Sequence, residues 1–151
     1  MKGAHRCLLA TVESDAHMWN LVYLQLWLGE HSLQVKNLGS CTPVHSILQA
    51  LAQGQTQLLV ISSVNGHGHY QGLALIREVR KHYPKLPCVI GGKLTTSQAQ
   101  TRAVRQELLA AGFDQVFIED DAIAAFETYL SRLEFAVPAL VSAADLQDLR
   151  T

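Results

Sequence analysis

Asp15 and His17 stand two positions apart, and their types suit the holding of a metal. An imidazole that ligates metal through one nitrogen usually donates its other N–H to a carboxylate, which fixes the tautomer and raises ligand basicity. A loop leaving a strand can fold so that residues i and i+2 meet in this way. By itself the Asp-x-His pair is a weak signal, because such pairs also occur in ordinary solvated loops. Two other short pieces strengthen it. Ser62-Ser63-Val64-Asn65-Gly66 carries hydroxyls able to hydrogen-bond a ligand's ring nitrogen or amide, and Gly66 and Gly68 let the backbone approach a ligand closely. Gly91-Gly92 offers a channel without side chains. Between Asn20, which closes the first piece, and Ser62 lie residues 21–61, 41 positions; between Val64 and Gly91 lie residues 65–90, 26 positions.

Competing chemistries fit less well. Gly66-x-Gly68-x-x-x-Gly72 has the wrong spacing for a dinucleotide fingerprint and follows the third apolar run, not the first. His67 and His69 raise structural zinc, but no further His or Cys lies at the usual local ligand spacing. A phosphoryl-accepting receiver domain needs an aspartate at the end of its third strand, where this chain has Ser62-Ser63.

The elements that must position these pieces are short apolar runs alternating with helical stretches. Cys7–Val12, Leu33–Leu38, Leu58–Ser62, Cys88–Ile90 and Val116–Ile118 lack polar alternation and read as buried strands. Helices are expected over 17–31, 44–53, 70–82, 97–111 and 121–134, with Pro43 at the start of the second and Gly112 closing the fourth. Five β-then-α units predict an α/β fold: a doubly wound, flavodoxin-like or Rossmann-like parallel sheet in the order 2-1-3-4-5. That topology brings all three pieces to the carboxyl edge of the sheet, where open α/β domains bind ligands. Residues 1–135 form the domain. Residues 136–151 read as a tail, in which Pro138 and Ser142 precede a short helix.

Bulk properties narrow the partners. The formal net charge is −1 and 17% of residues are charged, so neither a nucleic-acid footprint nor attraction to an anionic membrane is expected. No secretion signal or membrane span is legible, and the three cysteines, Cys7, Cys41 and Cys88, form no CxxC pair. Free thiols in a reducing cytoplasm are the plain reading. The first helix is unusual: Trp19, Leu21, Val22, Tyr23, Leu24, Leu26, Trp27 and Leu28 make it apolar on nearly every face. Such a helix needs cover on both sides. The sheet supplies one; a ligand, a second copy of the chain, another subunit or the tail supplies the other.

Asp-x-His-x-x-Gly, about forty residues, Ser-x-Leu, under thirty residues, Gly-Gly is the signature of cobalamin (B12)-binding domains, and residues 5–134 resemble that family. With no helical segment ahead of the first strand, the likeness is nearest to the small cobalamin-binding subunit of glutamate mutase. Val60-Ile61-Ser62-Ser63-Val64-Asn65-Gly66-His67-Gly68 and Ala110-Ala111-Gly112-Phe113-Asp114-Gln115-Val116-Phe117 also resemble that subunit. The resemblance implies cobalamin, as adenosylcobalamin, bound with its own base displaced. His17 becomes the lower cobalt ligand, Asp15 its partner, Ser62 the group that meets the displaced benzimidazole, and Gly91 and Gly92 the lining of the tail's channel. It further implies a barrel-type large subunit that binds the amino-acid substrate of a carbon-skeleton mutase. A corrinoid carrier for methyl transfer and a drifted, non-catalytic regulatory module are the alternatives. Three departures stand out: Asn20 replaces the motif glycine, Val64 replaces the motif leucine, and Ile118-Glu119-Asp120-Asp121 makes an acidic turn after the fifth strand. Asn20 is expected to narrow the channel, so Asn20→Gly is expected to tighten binding.

Overall fold

The computed structural model describes residues 5–118, 120–133 and 135. Strands β1 (His5–Ala10), β2 (Leu33–Asn37), β3 (Leu58–Ser63), β4 (Cys88–Gly92) and β5 (Gln115–Phe117) form one sheet in the order β2-β1-β3-β4-β5. Every pairing is parallel. Helices α1 (Met18–Glu30), α2 (Val44–Ala52), α3 (Gly68–His82) and α4 (Thr101–Ala111) make the four crossovers, and α5 (Ala122–Arg132) follows the last strand. Among the described residues no helix is long and apolar enough to cross a membrane.

The sheet is buried on both faces, which explains the unbroken apolar runs. Successive residues of a strand point to opposite faces. Leu59 and Ile61 therefore join a core with Ile76 of α3 and Leu108 of α4, while Leu58 and Val60 join a second core with Leu21 of α1 and Phe126 of α5. The same alternation decides the site. Ser62 continues the α1/α5 side of β3 and Ser63 the α3 side.

Several boundaries differ from the sequence reading; α4, for one, begins at Thr101 and not at 97, and β5 runs one residue earlier, over Gln115–Phe117. β1 runs from His5 to Ala10, earlier than Cys7–Val12, because its partner β2 begins opposite His5. α3 begins at Gly68, two residues before the expected start. The glycine pair lies inside β4, with Gly91 beside Ser62 and Gly92 beside Ser63 in the ladder. These glycines complete a strand; they do not make the turn after it. The expected short helix over the tail falls outside the described residues.

Candidate functional site

The carboxyl ends of β1 and β3 lie side by side, with Ala10 opposite Ile61, so the loops that follow them meet. Asp15 stands at their junction and is 1% exposed. Burying a carboxylate is costly unless its lone pairs are occupied. Here four donors occupy them. Oδ1 accepts the His17 backbone N–H at 2.9 Å and His17 Nδ1 at 2.6 Å; Oδ2 accepts Ser63 Oγ at 2.9 Å and the Val64 backbone N–H at 2.8 Å. Burial pushes the Asp15 carboxyl pKa up, but the hydrogen bonds from His17, Val64 and Ser63 outweigh it, and the group ends below the ordinary carboxylate value.

A carboxylate offers no proton, so Nδ1 of His17 is the protonated nitrogen and Nε2 keeps its lone pair. The His17 side chain is 58% exposed, in contrast to its anchor. The result is a fixed-tautomer imidazole presenting a donor atom above the sheet edge. Among the described residues no three His, Cys, Asp or Glu side chains gather as a metal site.

A second ring of hydrogen bonds holds the loops. Ser14 Oγ donates to Gln71 Oε1 of α3 at 2.7 Å, Asn65 Nδ2 donates to Ser14 Oγ at 2.9 Å, and Asn65 Oδ1 accepts the His67 N–H at 3.0 Å. The sequence reading did not single out Ser14 or Gln71, and it offered the Ser63 hydroxyl to a ligand, whereas Ser63 donates to Asp15. Period-two alternation after Val60 would have pointed Ser63 at the Asp15 side; nothing local signals Gln71.

On the other side of the sheet, under α1, lies a cavity of about 270 Å³ lined by Asn20, Ser62, Gly91, Gly92 and the apolar side chains of Leu24, Phe117 and Phe126. Its volume is at the lower edge of the roughly 300–1,000 Å³ typical of small-molecule sites. Asn20 Nδ2 donates to Ser62 Oγ at 2.5 Å across its polar side. Gly92 also borders an open polar groove of about 1210 Å³, lined by Lys93, Thr95, Thr96, Arg102 and Asp120 among others. Of the acidic turn, Asp120 and Asp121 flank this groove and Glu119 lies outside the described residues.

The sequence-derived residues thus fall into two groups. Asp15, His17 and Val64 meet at the loop junction, where Val64 contributes its amide. Asn20, Ser62, Gly91 and Gly92 meet at the cavity. Gly66 joins neither: its N–H donates to the Lys93 carbonyl at 3.1 Å and its Cα faces Thr96, so it ties the loop after β3 to the loop after β4. Cys7 and Cys88 are buried, and burial pushes the Cys88 thiol up to about 12, so neither supplies a thiolate. Cys41 is exposed.

Fold and site together define a doubly wound domain that holds out one carboxylate-anchored imidazole at the carboxyl edge of its sheet, with a cavity under α1 nearby. Residues 5–127 match the B12 binding domain, and the chain belongs to that family. It is 30% identical over 109 residues to the glutamate mutase sigma subunit of Halobacterium salinarum, covering 72% of this chain and 73% of that protein. The fold is also similar to a cobalamin-binding protein from Desulfitobacterium hafniense, with a TM-score of 0.66 and 18% identity, covering 86% of this chain and 59% of that one. A monomethylamine corrinoid protein from Methanosarcina barkeri gives a TM-score of 0.61 and 21% identity over 87% of this chain and 59% of its own.

Proposed function

We propose that this chain is the cobalamin-carrying subunit of an adenosylcobalamin-dependent carbon-skeleton mutase of the glutamate mutase kind, acting in the cytoplasm. The observation that carries the reading is the 2.6 Å contact of His17 Nδ1 with the buried Asp15 carboxylate, which leaves Nε2 free. That donor chemistry fits cobalt in a corrin, and the neighbouring cavity fits a displaced aromatic base. His17 would ligate the cobalt from below, Asp15 would hold the imidazole in its tautomer, and Ser62, Gly91 and Gly92 would flank the base. The polar groove beside Gly92 would face the amide fringe of the corrin. Bound adenosylcobalamin supplies a cobalt–carbon bond that breaks homolytically. This chain's own work is to bind, orient and present it. A larger, barrel-type subunit would bring the substrate, so the chain is expected to be inactive alone.

Titration with cobalamin tests the reading. The visible spectrum is expected to change on binding, and the change to disappear in His17→Ala. Electron paramagnetic resonance of cob(II)alamin on the protein should turn from a triplet to a doublet pattern when histidine is labelled with nitrogen-15. An unchanged wild-type spectrum, or a triplet that survives labelling, would sink His17 as the ligand.

A further inference from the structure

The cavity under α1 holds a hydrogen-bond donor that no described residue accepts. Ser62 is 5% exposed and lines the cavity, and its Oγ accepts from Asn20 Nδ2. A hydroxyl also has one proton to give. Among the described residues nothing takes it, whereas the Ser63 hydroxyl on the opposite face is spent on Asp15. Of the other walls, Leu24, Val60, Phe117 and Phe126 present no side-chain acceptor, and the one further lining side chain with an oxygen, Tyr23, makes no hydrogen bond to Ser62 among the described residues. A buried donor without a partner is unfavourable, so the site is complete only when something in the cavity accepts. Asn20 sits in the first turn of α1, and its amide engages one side of the Ser62 oxygen. The hydroxyl proton is left to point away from α1 and into the cavity.

We infer that Asn20 is a positioning residue: by donating to Ser62 Oγ it aims the Ser62 O–H at the ligand, and it makes the chain selective for corrinoids whose displaced lower base carries an unprotonated ring nitrogen. The inference rests on the cobalamin reading above. It reverses the expectation drawn from the motif, in which Asn20 merely obstructs. Asn20→Gly should weaken cobalamin binding, since it frees the Ser62 rotor and places a glycine in a helix.

The test compares three probes on the full chain: cobalamin, a cobamide whose lower base is a phenol and so lacks a ring nitrogen, and cobinamide, which lacks the base altogether. Wild type, Asn20→Ala and Asn20→Asp are titrated with each. Aspartate keeps the shape of the amide but only accepts, so it captures the Ser62 proton itself. Wild type is expected to prefer cobalamin to the phenolic cobamide by about tenfold, the worth of one good hydrogen bond. That ratio should collapse in Asn20→Ala and at least as far in Asn20→Asp. Because it is a ratio within one folded protein, a change in stability alone does not move it. Equal wild-type affinity for the two cobamides, or an unchanged ratio in Asn20→Asp, overturns the inference and leaves the cobalamin reading standing. Binding of cobinamide but not cobalamin also overturns it, since the base would then be excluded from the cavity. Failure of all three probes to bind overturns both readings.

Discussion

The backbone N–H of Val64 donates to Asp15 Oδ2 over 2.8 Å, joining two loops that lie 49 residues apart in the chain. One carboxylate therefore sets both the orientation of His17 and the path of the backbone leaving β3. Asp15→Ala should strand the Val64 N–H and the Ser63 hydroxyl in a buried place. The expected cost is about 3 kcal/mol, measured by urea denaturation. Asp15→Asn keeps an acceptor and should cost less. A change of stability within experimental error for Asp15→Ala would show that the loops hold themselves.

The same carboxylate makes folding sensitive to acid in a predictable direction. Asp15 titrates below its ordinary value of about 3.9 in the native state, because the hydrogen bonds it accepts outweigh its burial. Its contribution is thus fully present above about pH 4 and is lost as pH falls through the depressed native pKa. Acid titration of stability should show a steeper loss below pH 4 in wild type than in Asp15→Asn. Parallel acid limbs for the two proteins would assign the loss to other carboxylates.

Two glycines of the site should respond unequally to alanine. At Gly92 φ is +111°, and a Cβ would run into the backbone carbonyl of Ser63, which is fixed in the ladder of β3. At Gly66 φ is +85°, but the nearest atom is the methyl group of Thr96, 2.7 Å from the added Cβ and free to turn away. Gly92→Ala is expected to cost about 3 kcal/mol and to distort the cavity, whereas Gly66→Ala should cost nearer 1–2 kcal/mol, the price of the left-handed backbone. Thermal unfolding of both variants orders them, and a milder effect at Gly92 than at Gly66 would contradict the close approach of β3 to β4.

The topology was legible because parallel strands buried on both faces leave an unmistakable run of apolar residues, and five such runs alternate with helices. The meeting of Asp15 with His17 was legible too, since it is local. What the chain concealed is everything that depends on register between distant elements. Ser62 and Ser63 look interchangeable in a row of letters, yet the pleat sends one to Asn20 and the other to Asp15. Asn20 looked like lost space in a glycine motif, because its partner is 42 residues away. Gln71 carried no signal at all, as a glutamine on a helix is ordinary until a loop folds onto it.

The first helix was expected to need cover on two sides, and among the described residues it has one. Leu21, Leu24 and Leu28 are buried against the sheet, while Trp19 and Leu26 are 83% and 67% exposed, with Tyr23 between them on the same stripe. Residues spaced i, i+4 and i+7 share a helix face, so these three form one apolar strip. A strip of this kind marks an interface more often than an idle surface. Replacing Trp19 by Ser and Leu26 by Gln together should leave unfolding free energy within about 0.5 kcal/mol, because neither side chain is packed. The double variant should nonetheless sediment as a monomer at concentrations where wild type associates with itself or with a large subunit. A wild type that stays monomeric alone and with such a subunit, joined to a variant destabilised by well over 1 kcal/mol, would instead place the cover within the chain, where the tail over 136–151 is the remaining candidate.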